Sequence, residues 1–250
     1  MKSFCFCIQK GGVGKTSLSV TLAVELAKTG ATVIVDADSQ SNASAWIGPE
    51  SITRELADVL LKQCSVKEAI VKTAIPNLYL LPSAGIGGGL SDYENGKGIN
   101  QPNSIKHLLR DIEALGYRYT VIDTNPGWNC LSKAAVHAAD EVITPILGDS
   151  FASDGLRIFA SKLKELREDL DAAAAYRRVI VNAIDRRIPQ HAQTLQQVQE
   201  GAGRLRVYSV PVEPAFRLAQ RRHLAVQDLS GIKAETREVI GRLTADLLTA

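Results

Sequence analysis

Short apolar runs and amphipathic stretches alternate along the chain. Residues 3–8, 32–35, 77–81, 119–122, 141–147, 178–183 and 207–210 are nearly continuous in apolar side chains, the pattern of strands buried on both faces. Helical patterns fall between them, over 15–28, 53–61, 104–115, 131–139, 153–170, 192–201 and 234–248. Strands separated by helices of this length predict an α/β fold: a mostly parallel, twisted sheet flanked by helices on both faces. One domain spanning 1–250 is expected, since no internal repeat and no dividing linker interrupts the pattern. Ligands of such sheets sit at the carboxyl ends of the strands. Three predicted strands end in chemically loaded residues, at 9–17, 36–38 and 123–127. Segment 84–102 breaks the rhythm, with six glycines, an Asn95-Gly96 pair and little periodicity. It reads as a mobile or ligand-ordered loop.

Composition narrows the chemistry. A chain of 250 residues with 45% apolar and 22% charged side chains can bury a core, which excludes a disordered chain. Cys5 and Cys7 lie two apart and would share one strand face. Cys64 and Cys130 stand alone. Without a CxxC or a zinc-type His pair, the four read as reduced thiols of a cytoplasmic protein. No apolar stretch reaches 18 residues, so no membrane helix is expected. The opening apolar run is short and ends in Gln9-Lys10-Gly11-Gly12, unlike a signal peptide. Net charge is only +2, which argues against a generic polycation. Yet residues 1–156 hold 13 Lys/Arg against 16 Asp/Glu, while 157–250 hold 16 against 11.

The run Lys10-Gly11-Gly12-Val13-Gly14-Lys15-Thr16-Ser17 follows the first strand and opens a helix. Its glycines let successive backbone N–H groups curl toward phosphate oxygens, and the helix start adds a positive dipole end. In such a phosphate loop Lys15 reaches the β- and γ-phosphates and the Thr16 hydroxyl ligates Mg²⁺. The usual pattern has another glycine where this chain has Gln9.

The second lysine is the informative departure. Lys10-Gly11-Gly12-Val13-Gly14-Lys15-Thr16-Ser17 resembles the deviant Walker A motif of the ParA/MinD family, closest in pattern to the short, Soj-like partition ATPases. That resemblance implies ATP and Mg²⁺ as cofactors, a weak intrinsic ATPase, and a nucleotide-sandwich homodimer in which Lys10 crosses to the other subunit's phosphates. Asp36-Ala37-Asp38-Ser39-Gln40 resembles the family's second motif. It implies Asp38 as the carboxylate that positions the attacking water and Asp36 as support for Mg²⁺ hydration. Ser39 and Ser41 replace a usual Pro and a common Gly. Two strand-end aspartates that cap the next helix are the plainer reading. Residues 119–127, ending Asp123-Thr124-Asn125-Pro126-Gly127, resemble the Walker B strand, with Asp123 toward Mg²⁺. Asn182 and the Pro211–Glu213 stretch resemble adenine contacts, though Asn and Pro are also common turn residues.

Within the family several readings diverge. A reductase carrying a bridging iron–sulfur cluster would need a second cysteine before Cys130, and residues 65–129 hold none, so no cluster is expected. A MinD-type membrane helix is not expected either, since residues 242–250 lack Lys, Trp and Phe and read as a domain helix. Arg204, Arg206, Arg217, Arg221 and Arg222 crowd the C-terminal part. The stretch around Arg217 resembles a family segment for non-specific DNA binding. A solvated basic face is the alternative for any single arginine. No helix-turn-helix is expected ahead of the phosphate loop. The resemblance thus implies a cytoplasmic, nucleoid-associated ATPase that partitions DNA or positions cargo, with a ParB-like or cargo-adaptor partner. The alternative is an ATP switch acting on a membrane or a protein.

Overall fold

β1 (Lys2–Phe6) divides the molecule into two layers. Phe4 and Phe6 are buried in one apolar cluster, while Cys5, and Cys7 just past the strand, are buried in the other. This is the period-two alternation of a strand covered on both faces. The computed structural model describes residues 1–149, 152–170 and 174–249. After β1 come α1 (Lys15–Ala27), β2 (Thr32–Ala37), α2 (Asn42–Ile47), α3 (Leu56–Leu60), α4 (Val66–Ala69), β3 (Val71–Lys72), β4 (Leu78–Leu81) and α5 (Leu90–Asn95). A 3₁₀ turn (Lys97–Asn100) leads to α6 (Ser104–Ala114), β5 (Tyr119–Thr124), α7 (Cys130–Ala138), β6 (Glu141–Leu147) and α8 (Ala152–Leu170). The chain then forms β7 (Ala175–Ile184), α9 (Pro189–Gly201), β8 (Arg206–Pro211), α10 (Ala215–Arg222), a 3₁₀ turn (Val226–Asp228) and α11 (Ala234–Thr249).

Among the described residues the strands form one sheet in the order β3-β4-β2-β5-β1-β6-β7-β8. The pairs are parallel except β3 with β4. The chain fills one half of the sheet, then crosses β1 after β5 to build β6 to β8. Strand order therefore reverses at β1, and a crevice opens there at the carboxyl ends.

Helix burial follows side-chain spacing. On α6, Ile105, Leu108, Leu109 and Ile112 are buried and the intervening charged residues are exposed, an apolar stripe with period 3.6. α1 is embedded more fully: Leu18, Val20, Leu22, Ala23, Leu26 and Ala27 join the cluster that holds Phe4 and Phe6. Truncating one of these leucines to Ala costs about 2–5 kcal/mol. α11 packs against the same layer through Val239, Ile240, Leu243 and Leu247, as the domain-helix reading of its sequence expects. Among the described residues no helix is long and apolar enough to cross a membrane.

One buried ion pair locks the far half. Arg178 on β7 donates to both carboxylate oxygens of Glu141 on β6, at 2.5 Å each, and to the Asp246 carbonyl in α11 at 2.6 Å. Removing either charge would strand the other in the core, a loss of about 3–5 kcal/mol.

Segment 84–102 differs from its sequence reading. Where that reading expects a mobile or ligand-ordered loop, the segment carries α5 and a 3₁₀ turn. The buried Glu55 carboxylate accepts the backbone N–H of Ala84 at 2.7 Å and of Gly89 at 2.5 Å. Leu90 and Tyr93 then bury against the α3–α6 layer. Two apolar residues in a six-residue helix are too few to register as a period. The short helices α2, α4 and α10 escape the pattern because six, four and eight residues span about two turns or fewer.

Candidate phosphate-binding site

Residues 9–14 leave β1 at the crevice and curl back into α1. The curl uses left-handed backbone at Gly12 (φ 71°) and Gly14 (φ 91°), which glycine adopts without strain. A Cβ on Gly14 would sit 2.2 Å from Asn182 Nδ2, so that position also needs the missing side chain for space. Asn182, at the end of β7, donates its amide N–H to the Val13 carbonyl at 2.9 Å. No side chain caps α1 at Gly14. The first N–H groups of the helix can therefore serve an anion. Gly11 and Gly12 are exposed at the loop tip, Val13 is buried, and Thr16 and Ser17 are half-buried on the first turn.

Lys15 is buried, and its ammonium donates to the Lys10 carbonyl at 3.1 Å. Burial pulls its pKa down, against the nearby charges of Asp123, Cys7 and Asp38. Lys10 itself turns outward and pairs with Asp149, just beyond β6; both side chains are more than a third exposed.

Three carboxylates gather where β2 and β5 end. Asp36 and Asp123 are register partners on these strands. Asp36 is fully occupied: one oxygen accepts the Ser44 N–H at 2.7 Å and the Ser44 hydroxyl at 2.6 Å, the other the Asp38 N–H at 3.3 Å. Asp123 is buried and neither of its oxygens has a hydrogen-bond partner. Burial raises the Asp123 carboxyl to about 8, Asp36 adds to this, and the Thr16 hydroxyl and Lys15 pull the other way. Asp36 rises only to about 6, because Ser44 offsets its burial. An orphaned buried carboxylate is an unsatisfied ligand. With the Thr16 hydroxyl close by, it fits a hard divalent cation that takes oxygen ligands and keeps much of its water. Asp38 follows on the β2–α2 turn. Its oxygen accepts the Gln40 N–H at 2.9 Å, and Ser41 closes the turn in left-handed conformation (φ 50°).

The remaining sequence candidates fall into two groups. Pro211 pairs in register with Ile184 at the end of β7, which brings it to the Asn182 side of the crevice. The buried Glu213 side chain turns inward, accepting the Ala215 N–H at 3.2 Å, the Lys233 N–H at 2.9 Å and the Thr236 hydroxyl at 2.8 Å. Any approach to a base there falls to the backbone. Arg217, Arg221 and Arg222 are exposed on α10. Arg204 and Arg206 lie at the opposite end of β8, about 17 Å of strand away, and Arg206 is paired with Asp246 at 3.0 Å. The sequence cluster of arginines is thus two surfaces.

Several contributors were invisible in sequence. Ser44 completes Asp36, Glu55 shapes segment 84–89, and Asp149 holds Lys10. Trp46 on α2 donates its indole N–H to the Leu224 carbonyl at 2.9 Å, and its own carbonyl lies 3.1 Å from His223 Nδ1. The helix after Asp38 is thereby joined to the end of the arginine-bearing α10.

The chain is similar to known proteins over most of its length. The family AAA_31, described as an AAA domain, matches residues 1–175. The chain is 32% identical over 216 residues to the chromosome partitioning protein ParA of Caulobacter vibrioides, covering 85% of this chain and 80% of that one. It is 29% identical over 215 residues to the sporulation initiation inhibitor protein Soj of Bacillus subtilis, covering 85% and 84%. Among solved structures, apo McdA of Cyanothece matches with a TM-score of 0.86 at 22% identity, over 99% of each chain. A McdA variant in complex with ATP matches with a TM-score of 0.84 at 21% identity, over 100% of this chain and 96% of that one. These structures share the fold.

Proposed function

The chain belongs to the ParA-type P-loop ATPases, and from that premise we propose that it binds Mg·ATP at residues 10–17 and cycles between ATP-dimer and monomer. In the dimer it binds DNA without sequence preference, and hydrolysis stimulated by a ParB-like or cargo-adaptor partner releases it. The work done is partition of DNA or positioning of a cargo, in the cytoplasm on the nucleoid.

The observation that carries this reading is the orphaned Asp123 carboxylate beneath a glycine loop that opens a helix. Asp123 and Thr16 would hold Mg²⁺, which would supply positive charge to offset that of the phosphates. Asp36, with its own oxygens filled, acts from behind by fixing the Asp38 backbone N–H. Backbone N–H groups of Gly11 to Lys15 cradle the phosphates. Lys15 exchanges the Lys10 carbonyl for phosphate oxygens. Asp38, just ahead of α2, orients the attacking water and receives its proton. Lys10 leaves Asp149 to meet the partner subunit's phosphates, a second cation for the transferring group. Asn182 and the backbone of 211–213 face the base. Arg217, Arg221 and Arg222 meet DNA phosphates, which give affinity without reading sequence.

Phosphate release from Mg·ATP by the full chain tests the ATPase core. Wild type turns over slowly, and Lys15→Ala and Asp123→Ala do not. Turnover retained by Lys15→Ala contradicts the assignment. ATP-dependent retention on liposomes instead of DNA would move the acting surface to a membrane.

A further inference from the structure

α5 closes against the turn that follows Asp123. Glu94 on α5 accepts two side-chain amides at a single oxygen, Asn125 Nδ2 at 2.9 Å and Asn129 Nδ2 at 2.8 Å. Each asparagine uses its other amide atom on backbone. Asn125 Oδ1 accepts the Gly127 N–H at 2.9 Å, and Asn129 Oδ1 accepts the Ser132 N–H at 2.9 Å, capping α7. The Cys130 thiol also donates to the Glu94 carbonyl at 3.1 Å. One carboxylate therefore fixes both ends of the 125–129 turn.

We propose that Glu94 is a positioning residue for phosphoryl transfer, and that segment 84–102 exists to deliver it to the turn after Asp123. The proposal rests on the ATPase reading above. The delivery is built into the chain. Glu55 ties down Ala84 and Gly89, and buried Leu90 and Tyr93 anchor α5. A Cβ on Gly88 would come within 2.9 Å of Glu55 Oε1, so glycine is what allows the close approach. Glu94 is half-buried, and its carboxyl is pushed up by burial, with Asn129 opposing and Asp38 adding to the rise. Asn125 stands two residues past Asp123, where displacement of the turn shifts backbone beside the transferring phosphate. Rates are far more sensitive to such displacement than affinities are.

Three full-length variants test this: Glu94→Ala, which removes the acceptor; Glu94→Gln, which keeps an oxygen for the amides; and Asn129→Asp, which keeps the α7 cap but removes the donor to Glu94. Turnover with Mg·ATP and random-sequence duplex is measured beside the Kd of a fluorescent ATP analogue and the melting temperature. Glu94→Ala and Asn129→Asp are expected to lose about tenfold in kcat with Kd changed less than about twofold, and Glu94→Gln to stay within about threefold of wild type. Wild-type kcat in Glu94→Ala overturns the proposal. So does a parallel loss of kcat and nucleotide affinity, or a Glu94→Gln no better than Glu94→Ala. If Glu94→Ala is too unstable to assay, Asn129→Asp decides in its place. A wild-type protein that binds and hydrolyses no ATP retracts the ATPase reading itself.

Discussion

Asp36 and Asp123 face one another in register on neighbouring parallel strands, and only Asp36 has its oxygens filled. The pair resembles two ligands of equal standing in sequence, each closing an apolar strand. Ser44 separates their roles, because a carboxylate already holding a hydroxyl and two N–H groups has little left for a cation. The empty partner is the one that a cation would relieve.

This asymmetry sets a pH dependence. Burial pushes the Asp123 carboxyl up to about 8 and the Asp36 carboxyl up to about 6, both above the ordinary carboxylate value of 3.8. The folded state therefore holds protons that the unfolded state has lost, so stability is full below about 4 and declines as pH rises through 6 and 8. The melting temperature of nucleotide-free protein should fall between about pH 4 and 8. Asp123→Asn should flatten the upper part of that fall and add about 1–3 kcal/mol at about pH 8. The same variant should lose on the order of 100-fold in turnover. A melting temperature that rises with pH would contradict the buried, unpaired state of Asp123.

Ser44→Ala removes a hydroxyl that donates to Asp36 at 2.6 Å and accepts the Ser83 N–H at 2.9 Å. The expected loss is about 1–3 kcal/mol, read by urea denaturation. Because Asp36 also fixes the Asp38 N–H, kcat should drop further than nucleotide affinity. Equal losses in both would reduce Ser44 to a packing residue.

Lys10 is held within its own chain by Asp149, whereas its proposed partner is the other subunit's nucleotide. Both side chains are partly exposed, so Asp149→Asn should change stability by no more than about 1 kcal/mol. Light scattering with ATP should show a larger dimer fraction for Asp149→Asn and none for Lys10→Ala. A dimer weakened by Asp149→Asn would mean that Asp149 supports the assembly.

The two arginine surfaces should separate. Replacing Arg217, Arg221 and Arg222 with Ala should weaken binding to any duplex and shrink the salt slope by about 0.9 for each phosphate no longer neutralised. Arg206→Ala should do little to DNA binding, since Arg206 is paired with Asp246 at the other end of β8. The reverse ranking, measured by fluorescence anisotropy across salt, would move the DNA face to the amino edge of the sheet.

The legible parts of this protein are those written in consecutive residues. Lys10 to Ser17 carry a loop chemistry that needs only a strand before and a helix after, and both are there. Asp123 could be placed because a nearly continuous apolar run, Tyr119 to Ile122, leads up to it. What stayed hidden depends on partners far apart in the chain. Trp46 meets Leu224 across 178 residues, and Lys10 meets Asp149 across 139. Glu55 and Glu94 are ordinary surface residues by composition, yet one shapes the glycine-rich segment and the other closes it on the Asp123 turn. Glu213 shows the converse: a motif position whose side chain the fold turns inward to cap two helices.

ATP-gated DNA binding tests the account most directly. Anisotropy of a labelled random-sequence duplex is measured at low salt with the full chain in Mg·ATP, in Mg·ADP and without nucleotide. Saturable binding in Mg·ATP alone, abolished in Lys10→Ala and in the α10 arginine variant, is the predicted result. Equal binding in all three states, or none in any, would contradict it.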